Sequence, residues 1–434
     1  MSIADKSGQN TWVPVVLTIL ASCSRKYYVT IYGLSSMIDI REIERILSAT
    51  LDRDHLLGYM GYSKFDGLRS PLVRALSFDF WPLRLLWTQV IMRAPMNLRP
   101  IFFVKKGINP EGMALFARAN LDMLSTNLTQ PFQERAESCL RWLIENTSAD
   151  KGKYHGSCWG YHHPWQSTRF YQPPGYPNCY ITVIAGGALL HGFRSFHTED
   201  YLTTARSAVD FILHDLDVLY ETAEEKCISY VPKMKTDFAV ININAQSAAF
   251  VAQVGTLTGE TFLLDQARKL LSFVSRLQTS HGAWYYTTNP RQSLVAHDNY
   301  HTGMILDAYL DYENATGDQR FRDYYERGLK FYGENLFLAN GAPKWASDKI
   351  MPHDVHGSAQ GILTFASAGD REKALRIASW GLQNFYKGDG EFAYQKGRFL
   401  SKRFTLLHWC NGWMARGLGV LLSLLRRMEG MGGH

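Results

Sequence analysis

The sequence is poor in the features that mark membrane-spanning, disulfide-stabilised and disordered proteins. Among its 434 residues, no apolar run approaches the ~20 residues that a membrane-spanning helix requires. Its six cysteines are scattered and form no CxxC pair, which predicts free thiols in a reducing compartment. Hydrophobic residues make up 46% and charged residues 20% of the chain, a balance that excludes extensive disorder.

Motifs of nucleotide chemistry and nucleic-acid binding are also missing. The chain has no phosphate-binding glycine loop, no dinucleotide fingerprint and no nucleophile elbow. Its net charge of +6 is spread along the sequence, apart from a mild cluster between Arg69 and Lys106. We therefore predict no cofactor and no nucleic-acid partner, whereas a modestly basic surface suits an anionic polysaccharide.

The N-terminus resembles a lipoprotein signal only in part. Residues 13–20 are mostly apolar, and Leu20-Ala21-Ser22-Cys23 resembles a lipoprotein cleavage box. However, the preceding stretch lacks net positive charge, Pro14 interrupts the run, and Arg25-Lys26 follows it. These features favour a cytoplasmic protein, and export as a lipoprotein through Cys23 is the alternative.

A repeated connector organises the chain. Three similar tripeptides each end one apolar segment and precede another, and their glycines are 58 and 52 residues apart: Thr258-Gly259-Glu260, Thr316-Gly317-Asp318 and Ala368-Gly369-Asp370. A period of this size is typical of stacked helical hairpins. Glycine suits the left-handed residue that ends a helix, and the acid after it favours the N-terminus of the next helix.

Two kinds of helix alternate along this repeat. Segments after a connector carry a single apolar stripe and predict outer helices with a solvated face. Segments before it are apolar nearly all round and predict inner helices that begin near residues 110, 180, 244, 300, 356 and 411. We therefore predict an all-α (α/α)6 toroid of six helical hairpins over residues 109–430. Residues 1–108 form an N-terminal helical extension packed on it, with a sixth outer helix around residues 38–57 and a less regular apron over residues 59–108.

The long loops of this toroid fall on one rim, between each outer helix and the next inner helix. They cover roughly residues 148–179, 226–244, 279–300, 338–356 and 388–410. Polar residues mark the inner-helix starts there, and helix capping explains one such residue per helix. It does not explain His301, His356 and Gln360, which lie about a turn further in. Polar groups that converge in an aromatic-lined cavity indicate a binding site.

Two pairs of residues are candidate catalysts. Asp298 and Asp354 could act as the paired carboxylates of glycoside hydrolysis, although each could be only a helix cap. His301 and His356 offer the proton abstraction used by sugar epimerases and lyases. An Asp354→Asn variant should lose activity if Asp354 transfers a proton and should tolerate the change if it only caps a helix. His297 and His353 complete no zinc set with their neighbours, so no metal is expected.

Aromatic and polar residues of the rim are candidate substrate contacts, because aromatic platforms beside His and Arg suit sugars that bear carboxylates. The predicted substrate-binding residues are Trp159, His162, His163, Arg169, Asn244, Trp284, Tyr300, Trp345, Gln360, His408 and Trp409. Among them we expect Trp159, Trp284, Tyr300, Trp345 and Trp409 to line one pocket. For the loop that begins at Trp159, a stiff packed loop is the alternative.

Several runs resemble the bacterial VpsJ-like exopolysaccharide biosynthesis proteins, and the likeness covers most of residues 60–425. These runs are His297 to Ala308, Gly341 to Trp345, Met351 to Gln360 and His408 to Met414, with Asn97 to Pro100 in the apron. Such proteins belong with the six-hairpin glycosidase-like toroids, which include hydrolases, lyases and epimerases. The resemblance therefore implies polysaccharide metabolism and leaves the reaction open.

The leading hypothesis is a glycoside hydrolase-like enzyme that cleaves or modifies a bacterial poly- or oligosaccharide by acid–base catalysis. A sugar epimerase or lyase, and a non-catalytic glycan-binding or assembly factor, are the alternatives. A helical isoprenoid cyclase would carry a DDxxD motif, which the sequence lacks. The apron alternates aromatic and leucine residues with arginines, which predicts either weak binding to anionic membranes or helices packed across the toroid. These residues are Phe78, Phe80, Trp81, Leu85, Leu86 and Trp87, with Arg74, Arg84 and Arg93.

Overall fold

The chain folds into helical hairpins whose long loops lie at one end. The computed structural model describes residues 38–125, 131–148, 152–168, 170–233, 238–293 and 296–431, and from Ile40 onward these form one compact unit. The helices are α1 (Ile40–Leu56), α2 (Pro71–Leu76), α3 (Trp81–Arg93), α4 (Pro110–Leu124), α5 (Phe132–Glu145), α6 (Cys179–Phe196), α7 (Glu199–Asp210), α8 (Ile241–Thr258), α9 (Thr261–Arg276), α10 (Asn299–Thr316), α11 (Arg322–Asn335), α12 (Val355–Ser367), α13 (Arg371–Phe385) and α14 (Trp413–Met431).

Six of these helices form a closed inner ring. Each of α4, α6, α8, α10, α12 and α14 packs against the next one in this order, and α14 packs against α4. The outer helices α5, α7, α9, α11 and α13 each pack on the inner helix that precedes them, and α1 packs on α14 as the sixth outer helix. This arrangement confirms the predicted all-α (α/α)6 toroid. The predicted boundary between residues 1–108 and 109–430 stays a prediction.

Side-chain caps explain where four inner helices begin. Asn109, Asn178, Asp298 and Asp354 each accept a backbone N–H from the first turn of α4, α6, α10 and α12, respectively. The start of α8 lies at Ile241, slightly earlier than predicted, and its N-cap Val240 makes no side-chain cap. Capping at the rim also places the free N–H groups and positive dipole ends of the inner helices there.

The connectors end the inner helices as the repeat predicts. Gly259, Gly317 and Gly369 have φ angles of 75°, 72° and 78°, in the left-handed region where glycine meets no steric penalty. These tight turns return the chain at once to an outer helix. The longer loops therefore lie at the opposite rim.

Short antiparallel strands stiffen the rim loops. The pairs are β1 (Trp165–Gln166) with β2 (Tyr171–Gln172), β3 (Val218–Glu221) with β4 (Lys226–Ile228), and β6 (Tyr386–Gly388) with β7 (Glu391–Phe392), while β8 (Gln395–Lys396) lies between β5 (His353–Asp354) and β9 (Ser401–Lys402). Residues 284–286 of the rim form no strand. They are fixed instead where the Ile241 N–H donates to the Tyr286 carbonyl.

Residues 59–108 form the apron between α1 and α4. It contains a 3₁₀ turn at Asp66–Arg69, α2 and α3. Its small core consists of Leu68, Val73, Ile91 and Val104. No helix within the described ranges is long and apolar enough to cross a bilayer.

Candidate active site

The starts of the inner helices surround a cavity of about 140 Å³, here called the front cavity. Its aromatic wall consists of Phe65, Tyr161, Trp165, Tyr180, Tyr230, Tyr286, Tyr300 and Trp409. Its polar wall consists of Lys64, Glu111, His163, Asn242, His301, His356 and His408. The volume lies below the ~300–1,000 Å³ of common ligand pockets, so the cavity suits a small ligand.

Asp298 and His301 form a hydrogen-bonded pair at the start of α10. The Asp298 Oδ1 atom accepts the His301 backbone N–H at 2.9 Å, and Oδ2 lies 2.7 Å from His301 Nδ1. Asp298 is buried, whereas 21% of the His301 side chain is exposed. A carboxylate at Nδ1 favours the tautomer that carries its proton there. His301 Nε2 is then free to act as a general base.

His356 is fully buried between aromatic rings. Its ring stacks on Tyr300 at 4.7 Å and on Trp413 at 4.4 Å, and the edge of Trp409 completes the enclosure. Burial lowers its pKa well below the ordinary value, so the ring is neutral. Neither ring nitrogen has a hydrogen-bond partner among the described residues. Because such a group is costly to bury unpaired, His356 is suited to bind a ligand hydroxyl.

Glu111 contributes a carboxyl group to the cavity wall. Its Oε1 atom accepts hydrogen bonds from the Tyr180 hydroxyl at 2.9 Å and the Trp413 indole N–H at 3.0 Å. Its Oε2 lies 3.5 Å from His408 Nε2, and burial lowers the pKa of His408 to about 3, so this histidine is neutral. Burial raises the pKa of Glu111 to about 7. Near neutral pH the carboxyl can therefore donate or accept a proton.

Lys64 brings a positive charge into the same cavity. Its Nζ atom lies 3.5 Å from the centroid of the Trp409 ring and 5.6 Å from that of Tyr300. Burial lowers its pKa to about 8, against the opposing effect of Asp354 and Asp298. A cation next to aromatic faces in a largely buried site can stabilise an oxyanion that forms on a substrate.

Several neutral groups could bind sugar hydroxyls. The hydroxyls of Tyr161 and Tyr230 lie 3.2 Å apart, and burial raises both pKa values well above the ordinary value, so both groups stay protonated. The side-chain oxygen of Asn242 is buried without a partner in the described structure. Tyrosine rings and amides together are suited to the apolar face and the hydroxyl edge of a sugar.

Asp354 lies behind the cavity wall. Its Oδ1 accepts the His356 backbone N–H at 3.0 Å and the Trp409 indole N–H at 2.9 Å, and its Oδ2 accepts the Gln395 amide at 2.7 Å. The carboxylate thus fixes the start of α12 and the Trp409 ring. This geometry suits a positioning residue and the helix cap, which the sequence left open as the alternative to acid–base chemistry.

The structure brings six of the predicted site residues into the front cavity: His163, Tyr300, His301, His356, His408 and Trp409. His162 lies next to His163, with ring centroids 5.1 Å apart, and is not part of the wall. Trp345 lies beside Lys64, whose Nζ is 5.8 Å from the ring centroid.

Four other predicted residues are placed elsewhere, and Arg169 lies outside the described residues. Trp159 and Trp284 are buried between helices, because their indole N–H groups donate to the carbonyls of Leu143 and Val274 at the ends of outer helices. Asn244 binds both backbone groups of Ile228 and so ties α8 to β4. Gln360 faces a different cavity and donates to Asp307 at 2.6 Å. These four residues therefore do not line the front cavity, where we had expected them to contact substrate.

Sequence reasoning missed several residues of the wall, among them Lys64, Phe65, Glu111, Tyr230 and Tyr286. Glu111 follows the N-cap Asn109 by two positions, and the rule that selected polar inner-helix starts could have found it. Tyr230 and Tyr286 lie in predicted rim loops, where no pattern separates cavity residues from packed ones. Lys64 lies in the irregular apron and carries no sequence signal.

The wall favours a base paired with a carboxyl group over two carboxyl groups. Glycoside hydrolases usually place two carboxyls on either side of the bond that breaks. Within the described structure Glu111 is the carboxyl in the front cavity wall, while Asp298 and Asp354 lie behind it. A histidine base with an acid of pKa about 7 suits proton transfer to and from a sugar.

The histidines weighed as metal ligands have other partners. His297 Nδ1 lies 3.0 Å from the Trp284 carbonyl, and His353 Nδ1 lies 2.6 Å from the Pro343 carbonyl. Among the residues that the structure describes, no group of three or more His, Cys, Asp and Glu side chains could hold a metal ion.

Glu111→Gln should reduce the pH dependence of stability. The folded pKa, about 7, lies above the ordinary 4.5, so the contribution of Glu111 is complete below pH 4.5 and is lost as the pH rises to about 7. Between pH 5 and pH 8, wild-type protein should lose about 2.5 kcal/mol more unfolding free energy than the variant. Urea denaturation at both pH values measures this difference. Equal losses in the two proteins would contradict the buried, protonated carboxyl.

Solved structures of carbohydrate-active enzymes share this fold. Cellobiose 2-epimerase from Bacillus thermoamylovorans matches with a TM-score of 0.58 at 12% identity, over 73% of this chain and 87% of that chain. An α-mannanase of glycoside hydrolase family 76 from Bacteroides thetaiotaomicron matches with a TM-score of 0.54 at 13% identity, over 74% and 87%. An inactive family 76 α-1,6-mannanase variant from Salegentibacter was solved in complex with α-1,6-mannotriose. It matches with a TM-score of 0.52 at 10% identity, over 75% of this chain and 91% of that chain.

These matches define the class of fold. The neighbours are (α/α)6 toroids of the six-hairpin glycosidase superfamily, and at this identity the likeness shows the fold alone. The sequence itself matches no protein-family profile and no curated protein. The residues of the front cavity must therefore indicate the function.

Proposed function

We propose that this protein is a carbohydrate-active enzyme that transfers a proton on a sugar, in the manner of an epimerase. The observation that carries the proposal is the His301 ring in an aromatic cavity, with its Nδ1 atom 2.7 Å from the Asp298 carboxylate. Glu111, with a pKa of about 7, shares that cavity. The occurrence of sugar epimerases and mannanases with the same fold supports a sugar substrate.

In the proposed reaction an open-chain sugar binds with its carbonyl group in the front cavity. His301 Nε2 takes the proton from the carbon next to the carbonyl, and the electrons of that C–H bond move onto the carbonyl oxygen. The Lys64 ammonium group stabilises the enolate oxygen. Glu111 then donates a proton to the opposite face of the same carbon, which gives the epimer. His301 returns its proton to Glu111 through solvent.

The substrate in this proposal is a sugar of bacterial polysaccharide metabolism. Three of the runs that resemble VpsJ-like exopolysaccharide proteins supply Tyr300, His301, His356, His408 and Trp409 to the cavity wall. The charge of Lys64 favours an anionic sugar. A cytoplasmic location is part of the proposal, and the reduced thiols of Cys139, Cys179, Cys227 and Cys410 support it. The alternative location, export as a lipoprotein, depends on Cys23, which lies outside the described residues.

Deuterium exchange tests the reaction. The protein is incubated in D₂O with cellobiose, mannose and a partial hydrolysate of the host exopolysaccharide, and the sugars are followed by NMR. We expect deuterium at the carbon next to the carbonyl together with a new epimer. New reducing ends without deuterium would overturn epimerisation in favour of hydrolysis. Binding without any change in the sugars would favour the glycan-binding factor.

We also propose that the apron binds anionic membrane surfaces weakly. Phe78 is 79% exposed and Leu86 is 53% exposed, and Phe80 and Trp81 are exposed beside them. Within this stretch Trp87 differs, because it packs into the apron core against Phe102. Exposed aromatic residues next to Arg74, Arg84 and Arg93 are typical of segments that rest on anionic lipid.

Liposome pelleting should show this membrane binding. At low salt, wild-type protein should pellet with phosphatidylglycerol vesicles, and high salt should release it. A Trp81→Ser, Leu86→Ser double variant, which changes exposed residues, should stay in the supernatant. Phosphatidylcholine vesicles serve as the neutral control. Wild-type protein that stays in solution with both lipids would remove the membrane from the proposal.

A further inference from the structure

The half of the ring opposite the rim loops encloses a second cavity, here called the rear cavity. Its volume is about 310 Å³, more than twice that of the front cavity, and side chains from all six inner helices line it. Met304 lines both cavities and lies between them. The proposed reaction uses none of the charged groups in the rear cavity.

Arginine side chains dominate the charge of the rear cavity. Its wall contains the arginines Arg118, Arg194 and Arg416 and the aspartates Asp307 and Asp311. Arg416 is paired with Asp122, which is not part of the wall. Arg118 has no hydrogen bond and no ion pair with the described residues, and the Nε atoms of Arg118 and Arg416 are buried without partners. Arg194 donates to the Gln253 side-chain oxygen, so Arg118 is the guanidinium group of the wall that the described residues leave without a partner.

The acidic residues compensate this charge only in part. Asp307 Oδ2 accepts the Gln360 amide at 2.6 Å, while Asp307 Oδ1 is buried without a partner. Burial raises the pKa of Asp307 to about 7 and also raises the pKa of Asp311. Gln360 is fully buried, and its side-chain oxygen has no partner in the described structure. Positive charge and an unpaired amide oxygen thus lie together in one cavity.

We infer that the rear cavity binds a small anionic sugar, either a sugar acid or a sugar phosphate. The acidic group would bind the Arg118 guanidinium, because planar guanidinium groups match carboxylate and phosphate oxygens. Gln360 and Gln253 offer amides to the hydroxyls, and Phe250 and Trp413 offer apolar surface to the ring. The volume falls within the ~300–1,000 Å³ of common small-molecule sites.

Thermal unfolding with defined probes tests this site. The probes are glucose 6-phosphate, glucuronate, inorganic phosphate and uncharged glucose. A ligand that binds only the folded protein raises its melting temperature, so at least one anionic sugar should raise it and glucose should not. A response to glucose 6-phosphate alone indicates a sugar phosphate, and a response to glucuronate alone indicates a sugar acid. Glucose raising the melting temperature as much as the anionic sugars would overturn the inference.

Two variants assign the ligand to the rear cavity. Arg118→Met removes the guanidinium without leaving a protein partner unpaired, and it should abolish the shift. Gly187→Leu should also abolish the shift, because its side chain would enter the cavity. A Cβ atom at this position would lie 3.8 Å from Arg118 Nη1. Lys64→Met removes the positive charge of the front cavity only and should keep the full shift.

These comparisons separate the inference from the proposed reaction, because no turnover is measured. The absence of a shift with every probe would overturn the inference. A shift that survives both Arg118→Met and Gly187→Leu would overturn it as well. A shift that Lys64→Met removes and Arg118→Met keeps would assign the ligand to the front cavity and would also overturn the rear site.

Discussion

His301→Asn should reduce turnover of the sugar substrate by about 10²–10⁴-fold, the usual loss when a general base is removed. Asparagine cannot take up a proton, but it keeps a polar side chain of moderate size in a partly exposed position. The melting temperature and the KM should therefore change little while kcat falls. The deuterium-exchange assay, run with one sugar at a time, measures this loss.

Asp298→Asn should cause a loss of similar size for a different reason. The asparagine side-chain oxygen can still accept the His301 backbone N–H, so the helix cap remains. Its amide N–H group, however, would face His301 Nδ1, where the carboxylate now lies at 2.7 Å. The imidazole would then carry its proton on Nε2 and could not act as a base there. A folded variant with low kcat and unchanged KM is the expected outcome.

Asp354→Asn is the matched control, because Asp354 caps α12 as Asp298 caps α10. Asparagine can still accept from the His356 backbone and the Trp409 indole, and the Gln395 amide can turn to present its oxygen. We therefore expect near-normal turnover and a small loss of stability, typically ~1 kcal/mol or less. Abolished turnover in Asp354→Asn beside active His301→Asn would reverse our assignment of the base.

The fold could be predicted because its signals are local. Gly259 and Gly317 end helices through a backbone conformation that depends on the residue itself. Asn109 and Asp298 cap helices through bonds within one turn. Neither signal requires knowledge of the rest of the structure. The order and approximate bounds of the inner helices followed from the sequence for this reason.

The candidate site could be predicted only where helix position decides which way a side chain faces. Tyr300 and His301 occupy the first turn of an inner helix, and the ring of helices directs that turn to the cavity. Trp159 and Trp284 lie in loops, where the available helix carbonyls determine where an indole binds. Those carbonyls belong to helices that the loop sequence does not specify.

The spacing from the aspartate to the following histidine differs by one residue between the two predicted pairs. His301 lies three positions after Asp298, so its ring reaches back to the carboxylate that caps the helix. His356 lies two positions after Asp354, and its ring instead stacks between Tyr300 and Trp413. The sequence shows both spacings, but their consequence depends on the geometry of the first helical turn.

Lys64 could not be found from sequence because a distant residue places it. Arg99 Nη2 donates to the carbonyls of Ser63 and Lys64 at 2.8 and 2.9 Å, and Arg99 Nε donates to Asp66 Oδ1 at 2.6 Å. Asp66 Oδ2 accepts the Ser63 backbone N–H at 2.7 Å. This buried pair fixes an irregular turn for which the local residues encode no regular structure.

Arg99→Met should therefore destabilise the protein by about 3–5 kcal/mol, the usual cost of leaving one member of a buried ion pair alone. The side chains of Arg99 and Asp66 are 1% and 0% exposed, so water cannot take the place of the lost partner. Arg45→Met breaks the exposed Glu42–Arg45 pair and serves as the control, with an expected loss of ~1 kcal/mol or less. Urea denaturation measures both values.

The Asp66→Asn, Arg99→Met double variant identifies the cause of that loss. If the unpaired Asp66 charge dominates, neutralising it should restore part of the stability, and the double variant should be less destabilised than the sum of the single variants. Catalysis should not recover with stability, because methionine cannot bind the carbonyls of Ser63 and Lys64. A folded double variant with normal turnover would show that the position of Lys64 does not depend on Arg99. Additive losses of unfolding free energy would show that Asp66 and Arg99 are not coupled.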